Sequence, residues 1–115
     1  AINPTDTYAV KESKLNQARL DEMQAKNNLR DKMRTTYNQI KQLEEQYQID
    51  TAKLQQAKEQ YNILKTQYDL GMVIELNLKQ AELAILAAQV AQEKTAVQHA
   101  QLVYLFNNPY LLSQQ

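Results

Sequence analysis

A chain of 115 residues has room for one domain, and its 13 basic and 13 acidic residues cancel to a formal net charge of zero. Without a basic surplus to displace phosphate counterions, nucleic acid is not an expected partner. The absence of cysteine excludes disulfide staples, thiolate metal sites and cysteine nucleophiles. One glycine and two prolines, set among abundant Gln, Ala, Leu, Lys and Glu, make a composition for long helices. No apolar run approaches the ~20 residues of a bilayer span. The first residues also lack the charged-then-apolar pattern of a signal peptide, so the chain reads as a processed protein or a portion of a larger one.

Residues 1–7 read as a leader. Pro4 fixes its own φ and disfavours helix at Asn3, while Thr5, Asp6 and Thr7 can all cap a helix, Asp6 best of the three. From Tyr8 to Leu70 there is no proline or glycine, which predicts one helix over 8–70, roughly 95 Å long at ~1.5 Å per residue. Its register runs Leu29, Met33, Thr36, Ile40, Leu43, Tyr47, Asp50, Leu54, Ala57, Tyr61, Leu64 and Tyr68. Steps alternating between three and four are the seam of helices that wind round one another. Asp50 interrupts it with a charge. Before Leu29 the register weakens: Leu15 keeps it, but Arg19, Glu22 and Lys26 stand at seam positions, and Asn27-Asn28 is the place for a local irregularity.

Gly71 is the only glycine, and glycine ends a helix at least cost because it can take the left-handed conformation that a Cβ penalises. Residues 71–73 are therefore the bend of a hairpin. Turn chemistry favours polar residues, yet Leu70, Met72, Val73 and Ile74 are apolar. With Tyr68, Gly71 and Asn77 they form the candidate partner-binding site.

The return helix is expected over 74–107, closed by Asn107-Asn108-Pro109, with a tail at 108–115. One apolar stripe runs Leu76, Leu83, Leu86, Val90, Val97, Ala100 and Tyr104; a second runs Leu78, Ala81, Ile85, Ala88, His99, Leu102 and Phe106. A helix apolar over so much of its circumference needs neighbours on more than one side. Folding at Gly71 pairs residues whose numbers add to about 144. On the first stripe this sets Tyr61 against Leu83, Leu54 against Val90, Tyr47 against Val97 and Ile40 against Tyr104. The expected fold is all-α, a long antiparallel two-helix coiled-coil hairpin, with Leu54 and Leu83 buried in its seam. Residues 8–34 overhang. The isolated chain is expected to associate with itself as a dimer or small bundle through the return helix and this overhang.

Catalytic chemistry is missing. His99 is the only histidine and reads as a packing or surface residue, so no transition-metal ligand set exists. One glycine cannot make a phosphate-binding loop. Glu44-Glu45 and Asp21-Glu22 are adjacent carboxylates, but helical neighbours point about 100° apart and cannot share a substrate. Of the seven tyrosines, Tyr47, Tyr61, Tyr68 and Tyr104 fall on seam positions and read as core filling with a polar tip. No enzyme activity, cofactor or metal is expected.

The order of these features resembles the outer-membrane efflux protein family, the TolC-like exit ducts. That family's repeat has a long helix, Tyr-x-x-Gly, a tip, and an Asp-aliphatic-Leu-x-x-Ala start to a second helix. Tyr68, Gly71, Asn77, Leu78 and Ala81 are the matching residues, with Asn77 directly before Leu78. Upstream, the segment from Leu29 through Met33, Arg34 and Tyr37 to Ile40 is similar to the family's hydrophobic-x-x-x-Val-Arg-x-x-Tyr/Phe-x-x-Ile segment. The Ala-rich return helix ending in Tyr104-Leu105-Phe106-Asn107 is similar to its closing helix. The resemblance spans about residues 15 to 108. It implies a hairpin in the periplasmic α-barrel of a trimeric duct, with the bend furthest from the outer membrane, gating the duct and meeting the periplasmic adaptor protein of a pump. Asn77 stands where the family usually has Asp, so an acidic ring at the entrance does not follow. Ile74 replaces a small hydroxyl residue. The chain carries one hairpin where the family has two, and no barrel strands.

Two other readings compete. The α-hairpin of the adaptor protein also has an Ala-rich return helix, but Tyr68, Leu70 and Ile74 do not supply the Arg before the bend and Ser after it that adaptors carry. A plain coiled-coil scaffold with no transport role would suit a solvated bend. Amphipathic β-strands encoded beside this segment, or a pump gene next to it, would separate the three.

Overall fold

The computed structural model describes residues 4–115. It is an extended hairpin of 102 × 20 × 16 Å, built from α1 (Pro4–Asp69), α2 (Glu75–Asn107) and a short α3 (Pro109–Leu112); among the described residues there is no strand. The all-α antiparallel hairpin read from the sequence is the fold.

Several boundaries differ. The first helix starts at Pro4, inside the expected leader, and Asp6 lies in its first turn, not at its cap. Proline suits an opening turn because its φ is preset and its missing N–H would have no helical partner there. The rest of the leader, residues 1–3, lies outside the described residues. The helix runs without interruption through Asn27-Asn28. At the far end the expected tail contains α3. Its Leu112 is 4% exposed, and Lys32 Nζ donates to the carbonyls of Leu112 at 3.2 Å and Gln115 at 2.8 Å. Only residues 4–28 of α1 are left exposed throughout.

The α1 seam is the one read from the sequence. Thr36, Ile40, Asp50 and Leu54 are buried, and Leu29, Met33, Leu43, Ala57, Tyr61 and Leu64 are half-buried between them. Tyr47 and Tyr68 lie at the rim, where a two-helix interface is too narrow to cover a ring.

The longitudinal register also holds. Asp50 meets Thr95, Thr51 meets Gln92, Glu44 meets His99 and Tyr37 meets Phe106, each within one residue of the expected offset. The face of α2 does not. Leu78, Ala81 and Thr95 are buried, with Ile85, Ala88, His99, Leu102 and Phe106 half-buried beside them. The second stripe therefore faces α1. Leu83, Val90, Val97 and Tyr104, paired with α1 on sequence grounds, point away and expose 64, 55, 56 and 59% of their surface.

The reason lies in size and polarity. Ala81, Ala88 and Thr95 let the two backbones come close, whereas the bulkier first stripe would hold them apart. Asp50, 5% exposed, also needs hydrogen-bond donors, because a buried carboxylate without them is costly. Thr95 Oγ1 donates to its Oδ2 at 2.5 Å and Gln46 Nε2 to its Oδ1 at 2.9 Å. These bonds, Thr95's first and Gln46's second, hold the Asp50 carboxyl below its usual pKa. Next to it Gln92 Nε2 donates to Thr51 Oγ1 at 2.9 Å. This polar layer fixes both the sliding and the rotation of α2.

Candidate functional site

The bend is built by backbone hydrogen bonds. Gly71 has φ +75; its N–H donates to the Tyr68 carbonyl at 2.9 Å and the Met72 N–H reaches the Gln67 carbonyl at 2.8 Å. These two bonds are the Schellman closure of a helix end, which requires one left-handed residue. A Cβ placed on Gly71 would meet nothing within 4 Å. Backbone conformation alone asks for glycine there.

The chain then runs extended into α2 through Ile74, at φ −90 and ψ 162. Isoleucine has no side-chain acceptor and cannot cap the helix. Asn77 supplies half of a cap instead, because its Oδ1 accepts the Ile74 N–H at 3.3 Å, the reach-back arm of a capping box. An aspartate at 77 could accept the same bond; asparagine accepts it without a charge. Glu75 in the first turn complements the positive end of the helix dipole.

The apolar tip residues do not fold back as a cap on the hairpin. Leu70, Met72 and Ile74 are 70, 69 and 65% exposed; only Val73 is half-buried. Tyr68 stands at the side of the tip with Lys65 Nζ 5.6 Å from its ring centre. Lys65 also pairs with Asp69 at 3.0 Å, and this hydrogen bond, followed by the Asp69 charge, raises its pKa. The seven residues singled out in the sequence thus fall into two groups. Gly71 and Asn77 shape the bend, while Leu70, Met72 and Ile74, flanked by Tyr68 and Val73, present an apolar surface.

The Lys65–Asp69 pair is not among the residues the sequence reading singles out, although a Lys and an Asp four residues apart at a helix end are a legible signal. Away from the tip, His99 Nε2 lies 3.3 Å from Glu44 Oε1. That contact, more than the nearby Lys41, lowers the Glu44 pKa, so His99 is a half-buried rim residue tied to a carboxylate. No group of three or more metal-ligating side chains occurs among the described residues, and no described helix is long and apolar enough to cross a membrane. Comparison with known protein families, curated proteins and solved structures finds no match.

Proposed function

We propose that this hairpin is a stave in the periplasmic α-barrel of a TolC-like export duct, in the cell envelope, and that its bend docks the adaptor protein of a pump. The observation that carries the docking reading is the tip: three apolar side chains, each at least 65% exposed, projecting where turn chemistry favours polar ones. The resemblance of the Tyr68–Ala81 region to the duct family supplies the partner. A stave must also offer α2 a second neighbour, and the outward Leu76–Tyr104 stripe supports that role. In the full-length protein the homo-oligomer implied by the resemblance is a trimer.

Met72→Asp combined with Ile74→Asp tests it. Both side chains are exposed, and aspartate at 74 is a better helix cap than isoleucine, so the hairpin is expected to keep its fold. In the full-length protein the double variant is expected to assemble normally, lose crosslinking to the adaptor from a photoreactive residue at Leu70, and lose export. Normal export by the folded, assembled variant would refute docking at the tip.

A further inference from the structure

The outward stripe of α2 is a coiled-coil seam that no other described residue covers. Leu76, Leu83, Val90, Val97 and Tyr104 recur every seven residues, and Lys79, Leu86, Glu93 and Ala100 sit three residues after each of the first four. This alternation of three and four is the pattern of a wound helix pair. The six large apolar members expose between 55 and 64% of their surface. Tyr104 lies beyond the overlap of a pair centred on Leu86; the other five present on the order of 450 Å² per chain, so such a pair would bury on the order of 900 Å² of apolar seam, the size of a weak, concentration-dependent interface.

The far side of α1 cannot be the cover. Opposite its seam stand Asp31, Asn38, Glu45, Ala52, Glu59 and Thr66, all exposed and all polar but for Ala52. The overhanging segment 4–28 also exposes Tyr8, Val10, Leu15, Leu20 and Met23, but without the alternation of three and four, so the apolar ridge that matches the stripe is the same stripe on a second copy. Charge then sets the direction. Lys79 and Glu93, the charged members of the seam, lie seven residues on either side of Leu86. A two-fold axis through Leu86 with the helices antiparallel brings each Lys79 to Glu93 of the other copy, twice. Parallel helices would instead stack Lys79 on Lys79 and Glu93 on Glu93, two repulsive layers.

We infer that the free hairpin forms an antiparallel homodimer through α2, centred on Leu86, with crossed Lys79–Glu93 pairs. Lys79 Nζ now rests 3.3 Å from Glu82 Oε2 at the surface, and its flexible stem allows it to swing across. The bends then lie at opposite ends of the pair. A duct wall and this dimer compete for one stripe, so the inference concerns the hairpin outside the wall and stands whether or not the duct reading does.

The experiment is sedimentation equilibrium of the 115-residue chain with charge-reversal variants, coupled to a distance measurement. The wild type is expected to dimerise at tens of micromolar. Lys79→Glu and Glu93→Lys should each raise the dimer Kd by about tenfold, while the chain carrying both should return to the wild-type value. Glu82→Gln, which breaks the same intrahelical pair as Lys79→Glu, should leave dimerisation unchanged. The chain has no cysteine, so a spin label on Gln98→Cys reports direction without background. An antiparallel dimer about Leu86 places two labels ~35 Å apart along the axis, against under about 20 Å for a parallel one. A monomer at about 100 μM, unchanged affinity on single reversal, or the short distance would each overturn the proposal.

Discussion

The rotation of α2 makes a sharp prediction, because Leu78 and Leu83 have the same chemistry and opposite surroundings. Leu78 is 7% exposed against α1, whereas Leu83 is 64% exposed. Full burial of a leucine side chain is worth about 1.5–3 kcal/mol, and truncation in a core adds a cavity cost. Beside the bend a two-helix interface can close partly over the gap, so Leu78→Ala should cost about 2–3 kcal/mol. Leu83 is about one-third covered, and alanine returns a little helix propensity, so Leu83→Ala should cost under about 1 kcal/mol. Urea unfolding followed by helical circular dichroism would measure both, at about 1 μM protein so that self-association through the outer stripe does not contribute. Equal losses at the two positions, or a larger one at Leu83, would refute the assignment of the buried face.

Gly71→Ala should destabilise the hairpin by about 1 kcal/mol through φ alone, since no atom opposes the new Cβ; Gly71→Asn should cost less, and an unchanged urea midpoint for both would contradict a left-handed closure. The Asp50 layer predicts a pH dependence. A carboxyl whose pKa is lower folded than unfolded stabilises the fold above the unfolded value of about 4, and that contribution fades as pH falls through the folded value. Thr95→Val removes the largest cause of the lowering, so the variant should have a lower urea midpoint than wild type near pH 7, and the gap should narrow as the solution is acidified below about pH 4. A gap that does not vary with pH would mean that the Thr95–Asp50 bond is not what sets the Asp50 carboxyl.

How much of this was legible in the sequence follows from the kind of information each feature needs. The two long helices, the stop at Gly71, the break before Pro109 and the α1 seam are local. They follow from propensity, from the single glycine, which takes φ +75 without the penalty of a Cβ, and from one apolar register. The longitudinal offset follows too, because the bend fixes where an antiparallel return helix begins.

Which side of α2 turns inward is not local. Both stripes are apolar, and the outer one carries the larger side chains, so hydrophobicity alone selects the wrong one. Only the packed pair weighs close approach at Ala81 and Ala88 against bulk at Leu83 and Val90, and only there does Asp50 demand a hydroxyl at 95. Likewise the folding of α3 onto Lys32 and the outward projection of Leu70, Met72 and Ile74 are set by contacts that form, or fail to form, once the helices are side by side. Periodicity can say that a helix has two apolar faces. Which one is buried depends on the size and polarity of what lies opposite, and only the tertiary fold brings that opposite side into place.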